Sequence, residues 1–241
     1  MINALPTAWT VRALVFVVVA LCASVIWLHS PTDAGRLLAA AGAIVMTVNV
    51  LILLLTVRPV FGRFHRWTQA RVWWFPLLDG EWDGEIWSNW ARLETTLSAA
   101  RGGKARFNPL THDLAEGTEK PTKIEATICS SLFEIVIDTK VPGTNRTSKT
   151  LFVRPQWRRP ESPRLTYVFE QVDQGPVSAT DVPNHLGAGD LIYFAEADEL
   201  RGQFWTQRQG SKGLNTAGTL VLRRRKPGPQ ISKPTLDIPP H

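Results

Sequence analysis

The residue types that most often carry catalysis are scattered along this sequence. It contains no Gly-x-Ser-x-Gly nucleophile motif, no His-Glu-x-x-His zinc motif and no phosphate-binding glycine loop. The two cysteines and five histidines do not have the spacing of zinc ligands. Gly187-Ala188-Gly189 has only part of a dinucleotide fingerprint and is interpreted as a turn, with His185 in the loop beside it. The sequence therefore predicts a protein that is not an enzyme and that uses no metal or cofactor.

Ligand binding is indicated instead, by polar and aromatic residues on the inner faces of predicted strands. In the strand predicted at 200–208, even-numbered positions share one face, so Phe204, Thr206 and Arg208 point the same way. A guanidinium on an inner face needs an anionic partner, and aromatic rings beside it suit the flat face of a nucleobase. The candidate ligand-binding residues are Ser88, Trp90, Arg154, Tyr167, Thr206 and Arg208.

Structural alternatives stay open for these residues. Arg208 would need no ligand if it reached the open end of its strand and were solvated there. The aromatic rings would need none if they only filled a core. The alternation pattern also does not settle which face of its strand Arg154 occupies.

These residues must be positioned by a sheet, and the hydrophobic pattern predicts one after residue 77. Apolar and polar residues alternate in eight segments, which are separated by turns rich in Pro, Gly and Ser. We predict strands at 80–90, 123–129, 132–139, 148–154, 164–171, 190–196, 200–208 and 216–224. This pattern favours a small eight-stranded antiparallel up-and-down β-barrel at 77–226, whose interior holds side chains or one small ligand. A helix is expected only at 93–100, followed by a mobile loop to residue 121.

The N-terminal part is apolar and is predicted to form a two-helix transmembrane hairpin at 1–58. Its spans are expected at about 8–28 and 37–57, and the second is uncharged over a length that crosses a bilayer. A signal peptide is the alternative for the first span, because Arg12 gives it a basic start. A second span follows after a short polar connection, which favours two retained helices.

Basic and aromatic residues flank the second span on its C-terminal side. The segment 59–76 holds Arg63, Arg66 and Arg71 among Phe and Trp residues, a pattern typical of a juxtamembrane helix at a cytoplasmic interface. Both termini and the barrel are therefore expected in the cytoplasm. The net charge of +6 is concentrated here and in 223–226, which suits anionic lipid at least as well as nucleic acid. We expect no DNA or RNA polymer as a partner, and a disordered proline-rich tail at 227–241.

The second span also offers a surface for association between helices. Ala39, Gly42 and Ala43 form a face of small residues, which lets another helix approach closely. Asn49 places an amide near mid-membrane, where it needs a hydrogen-bond partner. That partner is either a residue of the same hairpin or another protomer.

The order of several short motifs resembles one known family. After the two spans come, in chain order, Gly-x-Trp-x-Gly and Ser-Asn-Trp within 80–90, His185-Leu-Gly187, Leu200-x-Gly202, Thr206 with Arg208, and Gly218-x-Leu220. This combination resembles the two-transmembrane β-barrel effectors of CBASS, the cyclic-oligonucleotide antiphage signalling systems of bacteria. The resemblance covers the hairpin and most of the barrel, whereas residues 91–121 match no part of the family pattern.

The resemblance implies an effector without catalysis, anchored in the bacterial inner membrane. Its barrel would be a cytoplasmic sensor for a cyclic dinucleotide made by a partner cyclic-oligonucleotide synthase during infection. Binding would drive homo-oligomerisation, and the clustered hairpins would disrupt the lipid of the inner membrane and cause abortive infection. A ligand with two phosphates carries two negative charges, which agrees with an inward Arg208 and a basic net charge.

Two other functions are compatible with the residues alone. One is a membrane-tethered, lipocalin-like barrel that binds an apolar ligand, and the other is a structural barrel that binds protein. The barrel interior distinguishes the three functions. A polar, basic cavity favours a nucleotide, an apolar cavity favours a lipid-like ligand, and a filled interior favours the structural role.

Overall fold

An eight-stranded antiparallel barrel forms the centre of the protein. The computed structural model describes residues 16, 19, 20, 23, 24, 34–68, 75–102, 107–156, 162–175 and 182–226. Each strand pairs with the next along the chain, and the last pairs with the first to close the barrel. The strands are β1 (Gly80–Ser88), β2 (Thr122–Ser130), β3 (Ile135–Lys140), β4 (Arg146–Gln156), β5 (Arg164–Asp173), β6 (Asn184–Phe194), β7 (Glu199–Gln207) and β8 (Ala217–Arg224). The prediction of an eight-stranded antiparallel barrel is confirmed.

One predicted turn is part of a strand. Gly187 and Gly189 lie inside β6, which begins at Asn184 and not at residue 190, and His185 is buried instead of exposed in a loop. A Cβ atom on Gly187 would lie 2.3 Å from the Phe169 ring, so the strand needs glycine there for close packing of the ring. Glycine weakens strand propensity, which is why the pattern indicated a turn.

Three helices accompany the barrel in the described part of the chain. They are α1 (Ala34–Thr56), α2 (Arg58–Thr68) and α3 (Trp90–Ala100), and a short 3-10 turn (Gly210–Lys212) connects β7 to β8. Within α1, Leu38–Thr56 is long and apolar enough to cross a membrane, and among the described residues no other helix is. The first predicted span at 8–28 lies outside the described residues, apart from helical residues at 16, 19, 20, 23 and 24. The predicted tail at 227–241 lies outside them as well.

One end of the barrel, here called the closed end, is filled by large side chains. The largest fully buried side chains at this end include Phe61, Leu78, Trp82, Ile128, Leu165, Leu191, Leu200 and Leu222. The Trp82 indole Nε1 donates to the Leu78 carbonyl oxygen at 3.0 Å. The Arg224 guanidinium lies over the Trp82 ring, 4.4 Å from the ring centre, and donates to backbone carbonyls of the chain that leads into β1. This end is therefore filled by a packed core.

Helix α2, which lies within the juxtamembrane segment predicted at 59–76, packs against the closed end. Its buried face carries Phe61 and His65, and Phe61 belongs to the same core cluster as Trp82. The His65 Nε2 atom is 2.9 Å from the Phe75 carbonyl oxygen. The buried face of α2 thus contacts the barrel, whereas Arg63, Arg66 and Trp67 on its other side are exposed. Residues 69–74 of the predicted segment lie outside the described residues.

Candidate functional site

The other end of the barrel, here called the open end, contains a cavity of about 490 Å³. Pockets of this size hold small organic ligands and cofactors. Its lining residues come from seven strands, from the connections beside them and from α3. They are Ile86, Ser88, Trp90, Glu94, Thr122, Ile124, Ile137, Thr139, Val141, Arg146, Thr147, Ser148, Thr150, Tyr167, Phe169, Gln171, Phe204, Thr206, Arg208, Thr216 and Leu220.

The floor of the cavity is apolar and aromatic. Ile124, Ile137 and Leu220 come from the inward faces of three strands, and all three are buried. The Tyr167 and Phe169 rings form one wall, with their centres 5.8 Å apart. Burial raises the pKa of the Tyr167 hydroxyl above its usual range, so it stays protonated and can donate a hydrogen bond.

Hydroxyl groups line the cavity above this floor. Thr206 Oγ1 and Thr216 Oγ1 are 2.6 Å apart across the β7–β8 connection. Thr139 Oγ1 and Ser148 Oγ are 2.5 Å apart on the opposite side. Each hydroxyl has one donor and two acceptor positions, so this layer can hydrogen-bond a polar ligand while keeping its internal bonds.

Two arginines lie at the mouth of the cavity. Arg208 is half-buried, with its guanidinium carbon 5.8 Å from the centre of the Trp90 ring. The Nε atom of Arg146 donates to Asp173 Oδ2 at 2.6 Å. This bond, together with the Gly175 backbone N–H and the more distant Arg208, holds the pKa of Asp173 below its usual range. The mouth therefore presents two arginines together with the carboxylates of Asp173 and Glu94.

Five of the six predicted ligand-binding residues line this one cavity: Ser88, Trp90, Tyr167, Thr206 and Arg208. The sixth, Arg154, does not line it, and its face was the one that the alternation pattern left open. Arg154 is exposed on the outer wall, because the pairing of β4 with β5 shifts register between Thr150 and Phe152. This bulge adds one residue, so every later side chain of β4 changes face.

Arg146 is the functional candidate that the sequence pattern missed. It precedes the bulge on β4, where even-numbered side chains still face inward, as Ser148 and Thr150 do. The signal that was present is a basic residue at the start of an alternating run. The predicted strand began at residue 148, two residues after the start of β4, so Arg146 was not counted among the inward positions.

Helix α3 and the loop after it lie at the mouth and occupy the stretch that had no predicted role. Trp90 and Glu94 extend from α3 into the lining of the cavity. The Arg92 guanidinium donates to the Pro109 carbonyl oxygen at 2.8 Å and to the His112 carbonyl oxygen at 3.3 Å. These bonds tie the loop to α3.

The four residues predicted for transmembrane association lie on α1. Ala39, Gly42, Ala43 and Asn49 are all exposed in the single chain. At 100° per residue, their positions fall within one face of the helix. The arrangement leaves this face accessible to another helix.

Neither a metal site nor a known relative identifies a function for this chain. Among the described residues, no group of three or more His, Cys, Asp or Glu side chains is placed to hold a metal ion. The sequence matches no protein-family model and no curated protein. Function is therefore inferred from the cavity and the sequence pattern.

Proposed function

We propose that this chain is a membrane-anchored effector whose cytoplasmic barrel senses a cyclic dinucleotide. The observation that carries the proposal is an open cavity of about 490 Å³ that combines aromatic walls, a hydroxyl layer and two arginines at its mouth. Arginine binds phosphate oxygens through fixed N–H groups, and aromatic rings accept the face of a base. The class of ligand with both features is a nucleotide.

The two arginines at the mouth support a ligand with more than one phosphate, and they lie among the carboxylates of Asp173 and Glu94. Arg208 and Arg146 come from different strands, so one ligand could contact both across the opening. The Nε atom of Arg146 donates to Asp173 Oδ2, and this bond orients the guanidinium at the mouth. Trp90 lies beside Arg208, where a base could stack next to the phosphate that Arg208 contacts.

The effector part of the proposal concerns the N-terminal region. We propose that α1 is the second helix of a two-helix hairpin in the bacterial inner membrane, with the barrel and both termini in the cytoplasm. Ligand binding then drives homo-oligomerisation, and the clustered hairpins disrupt the bilayer and cause abortive infection. The apolar, exposed Leu38–Thr56 helix supports the anchor. A reporter fused to the C-terminus tests the topology: phosphatase activity in the periplasm would contradict it.

The direct test of ligand class is calorimetry with the full-length chain in detergent. We expect heat from at least one member of a panel of cyclic dinucleotides, and none from linear dinucleotides of DNA or RNA at the same concentration. Co-expression with a cyclic-oligonucleotide synthase tests whether that enzyme makes the ligand. Absence of heat from every cyclic dinucleotide, together with heat from a fatty acid, would overturn the proposal.

An apolar ligand is the second candidate function, and the floor of the cavity favours it. Ile86, Ile124, Ile137 and Leu220 would suit a hydrocarbon chain. The hydroxyl layer and the arginines above that floor favour the nucleotide, because a purely apolar ligand would leave them without new partners. The third alternative, a structural barrel with a filled core, does not account for a cavity of this size.

A further inference from the structure

One charged side chain of the cavity is unsuited to bind phosphate, and it is the carboxylate of Glu94 on α3. Glu94 lines the cavity and is exposed at its mouth. Within the part of the chain that the structure describes, this carboxylate makes no hydrogen bond and no ion pair, whereas Asp173 pairs with Arg146. A carboxylate that faces a ligand with two phosphates weakens binding, unless hydrogen-bond donors of the ligand lie against it.

Glu94 is held beside Trp90 at the cavity mouth. The two residues are four positions apart on α3, which places their Cβ atoms about 5–6 Å apart on one face of the helix. Both side chains line the cavity. The start of α3 is tied to β8 by two hydrogen bonds, from the Asn89 N–H to the Ala217 carbonyl oxygen at 2.9 Å and from the Ala217 N–H to Asn89 Oδ1 at 3.0 Å. The barrel therefore fixes where α3 presents this pair of side chains.

A base that stacks on Trp90 can present its edge to Glu94. Proteins recognise unpaired nucleotides in this way, with an aromatic ring against the face of the base and hydrogen bonds to its edge. A carboxylate has two oxygens that accept hydrogen bonds and no hydrogen to donate. It therefore favours an edge with two neighbouring donors, and it disfavours an edge that carries an acceptor beside the donor.

Guanine is the base that has such an edge. Its N1–H and its N2 amino group lie side by side, so both can donate to one carboxylate in a bidentate pair. Adenine and cytosine have a ring nitrogen acceptor beside the amino group on that edge, and uracil has a carbonyl oxygen on each side of its N–H. Repulsion between these acceptors and the carboxylate oxygens makes guanine the favoured base at Glu94.

We propose that Glu94 determines the base specificity of the cavity, by binding the N1–H and N2 amino group of a guanine that stacks on Trp90. The ligand is then a cyclic dinucleotide with at least one guanine. Arg208, whose guanidinium carbon is 5.8 Å from the centre of the Trp90 ring, lies where it can contact a phosphate of the same nucleotide. The two opposite charges beside Trp90 thus meet opposite parts of one ligand. The inference deepens the proposed function and rests on it for the class of ligand.

The test measures base preference by calorimetry with the full-length chain in detergent. The ligands are cyclic di-GMP, cyclic GMP–AMP, cyclic di-AMP, cyclic di-UMP and cyclic di-CMP. We expect the two ligands that contain guanine to bind about 5- to 150-fold more tightly than the other three, because a bidentate pair discriminates against the wrong base by that factor.

Glu94→Gln is the variant that tests the residue itself. A glutamine amide offers one acceptor and one donor group, which matches the edge of adenine and not that of guanine. We expect Glu94→Gln to bind cyclic di-GMP about 5- to 150-fold more weakly than the wild type, and cyclic di-AMP more tightly. Glu85→Gln is the matched control, because Glu85 does not line the cavity, whereas its neighbour Ile86 does. Thermal unfolding is measured to confirm that both variants are folded.

Two outcomes would overturn this inference and leave the proposed function standing. One is a wild-type chain that binds a cyclic dinucleotide without guanine at least as tightly as cyclic di-GMP. The other is a Glu94→Gln variant that keeps the guanine preference of the wild type. Absence of heat from every cyclic dinucleotide is a different result, because it would overturn the proposed function and this inference with it.

Discussion

Arg208 is the residue on which nucleotide recognition depends most directly. We expect Arg208→Ala to weaken binding of a cyclic dinucleotide by about 10- to 150-fold, since a hydrogen bond to a charged group contributes roughly 1.5–3 kcal/mol. Calorimetry on the full-length chain measures this. The expectation depends on Arg208 lying half-buried at the cavity mouth beside Trp90.

The structure offers a matched control for this substitution. Arg154→Ala removes the same charge from the outer wall of the same barrel, so it should leave nucleotide affinity unchanged. Equal losses from Arg208→Ala and Arg154→Ala would mean that net charge, and not a contact in the cavity, sets the affinity.

His65 gives the folded protein a specific dependence on pH. Burial lowers the pKa of its imidazole, while the Phe75 carbonyl and the Asp79 carboxylate oppose that change. Below the usual imidazole value of about 6.5, the unfolded chain therefore binds a proton that the native state does not, and stability falls as the pH falls. We expect the urea midpoint to decrease between about pH 7.5 and pH 5.5 in the wild type and to change less in His65→Gln.

The pH range of this measurement matters because a second buried group, Asp79, has the opposite effect on the stability of the native state. Burial raises the pKa of Asp79, so uptake of a proton by Asp79 at lower pH stabilises the native state. An Asp79→Asn variant separates the two contributions. If the urea midpoint of the wild type decreases with pH no more steeply than that of His65→Gln, His65 does not cause the pH dependence of stability.

Helix α2 packs on the barrel and contributes a buried side chain to its core. Phe61 is fully buried in the core cluster, whereas Trp67 on the same helix is 69% exposed. We expect Phe61→Ala to lower the free energy of unfolding by about 3–5 kcal/mol, and Trp67→Ala to change it by less than about 0.5 kcal/mol. Chemical denaturation followed by Trp fluorescence and circular dichroism measures both.

The same packing decides where a soluble sensor domain must begin. A chain that starts after α2 would lack Phe61 and His65 and would expose the closed end of the barrel. A chain that starts at Arg58 keeps them. If the two chains unfold at the same denaturant concentration, α2 is not part of the folded unit.

At the scale of the whole molecule, sensing and membrane damage are expected to separate. Asn49 lies on an exposed face of α1, and an amide bond between helices in lipid contributes about 0.5–2 kcal/mol. Repeated through a cluster of helices, this bond would stabilise the assembly. We expect Asn49→Leu to reduce killing of cells that make the ligand, measured as colony survival, while nucleotide affinity stays at the wild-type value.

Arg208→Ala serves as the comparison in the same cells, because it should lose both binding and killing. Expression of each variant is matched by immunoblot. If cells with Asn49→Leu die as readily as cells with the wild type, the Asn49 amide bonds within its own hairpin and does not connect protomers.

The sequence by itself determined the class of fold and most of the candidate site. Alternation with a period of two is a local property of a strand, and it predicted all eight strands of the barrel. The same period brought Ser88, Trp90, Tyr167, Thr206 and Arg208 to one interior, because inward positions of a closed barrel must converge. Length and apolar composition likewise sufficed to indicate the α1 span.

Only the tertiary structure decided the features that depend on contacts between distant segments. The β4 bulge moved Arg154 and Phe152 to the outer wall, since one extra residue reverses every later side chain. The glycines of β6 lie in a strand because rings on β5 need their space, and α2 faces the barrel because the closed end needs a cover. Local patterns carry no information about either neighbour, so these positions could not be predicted from the sequence.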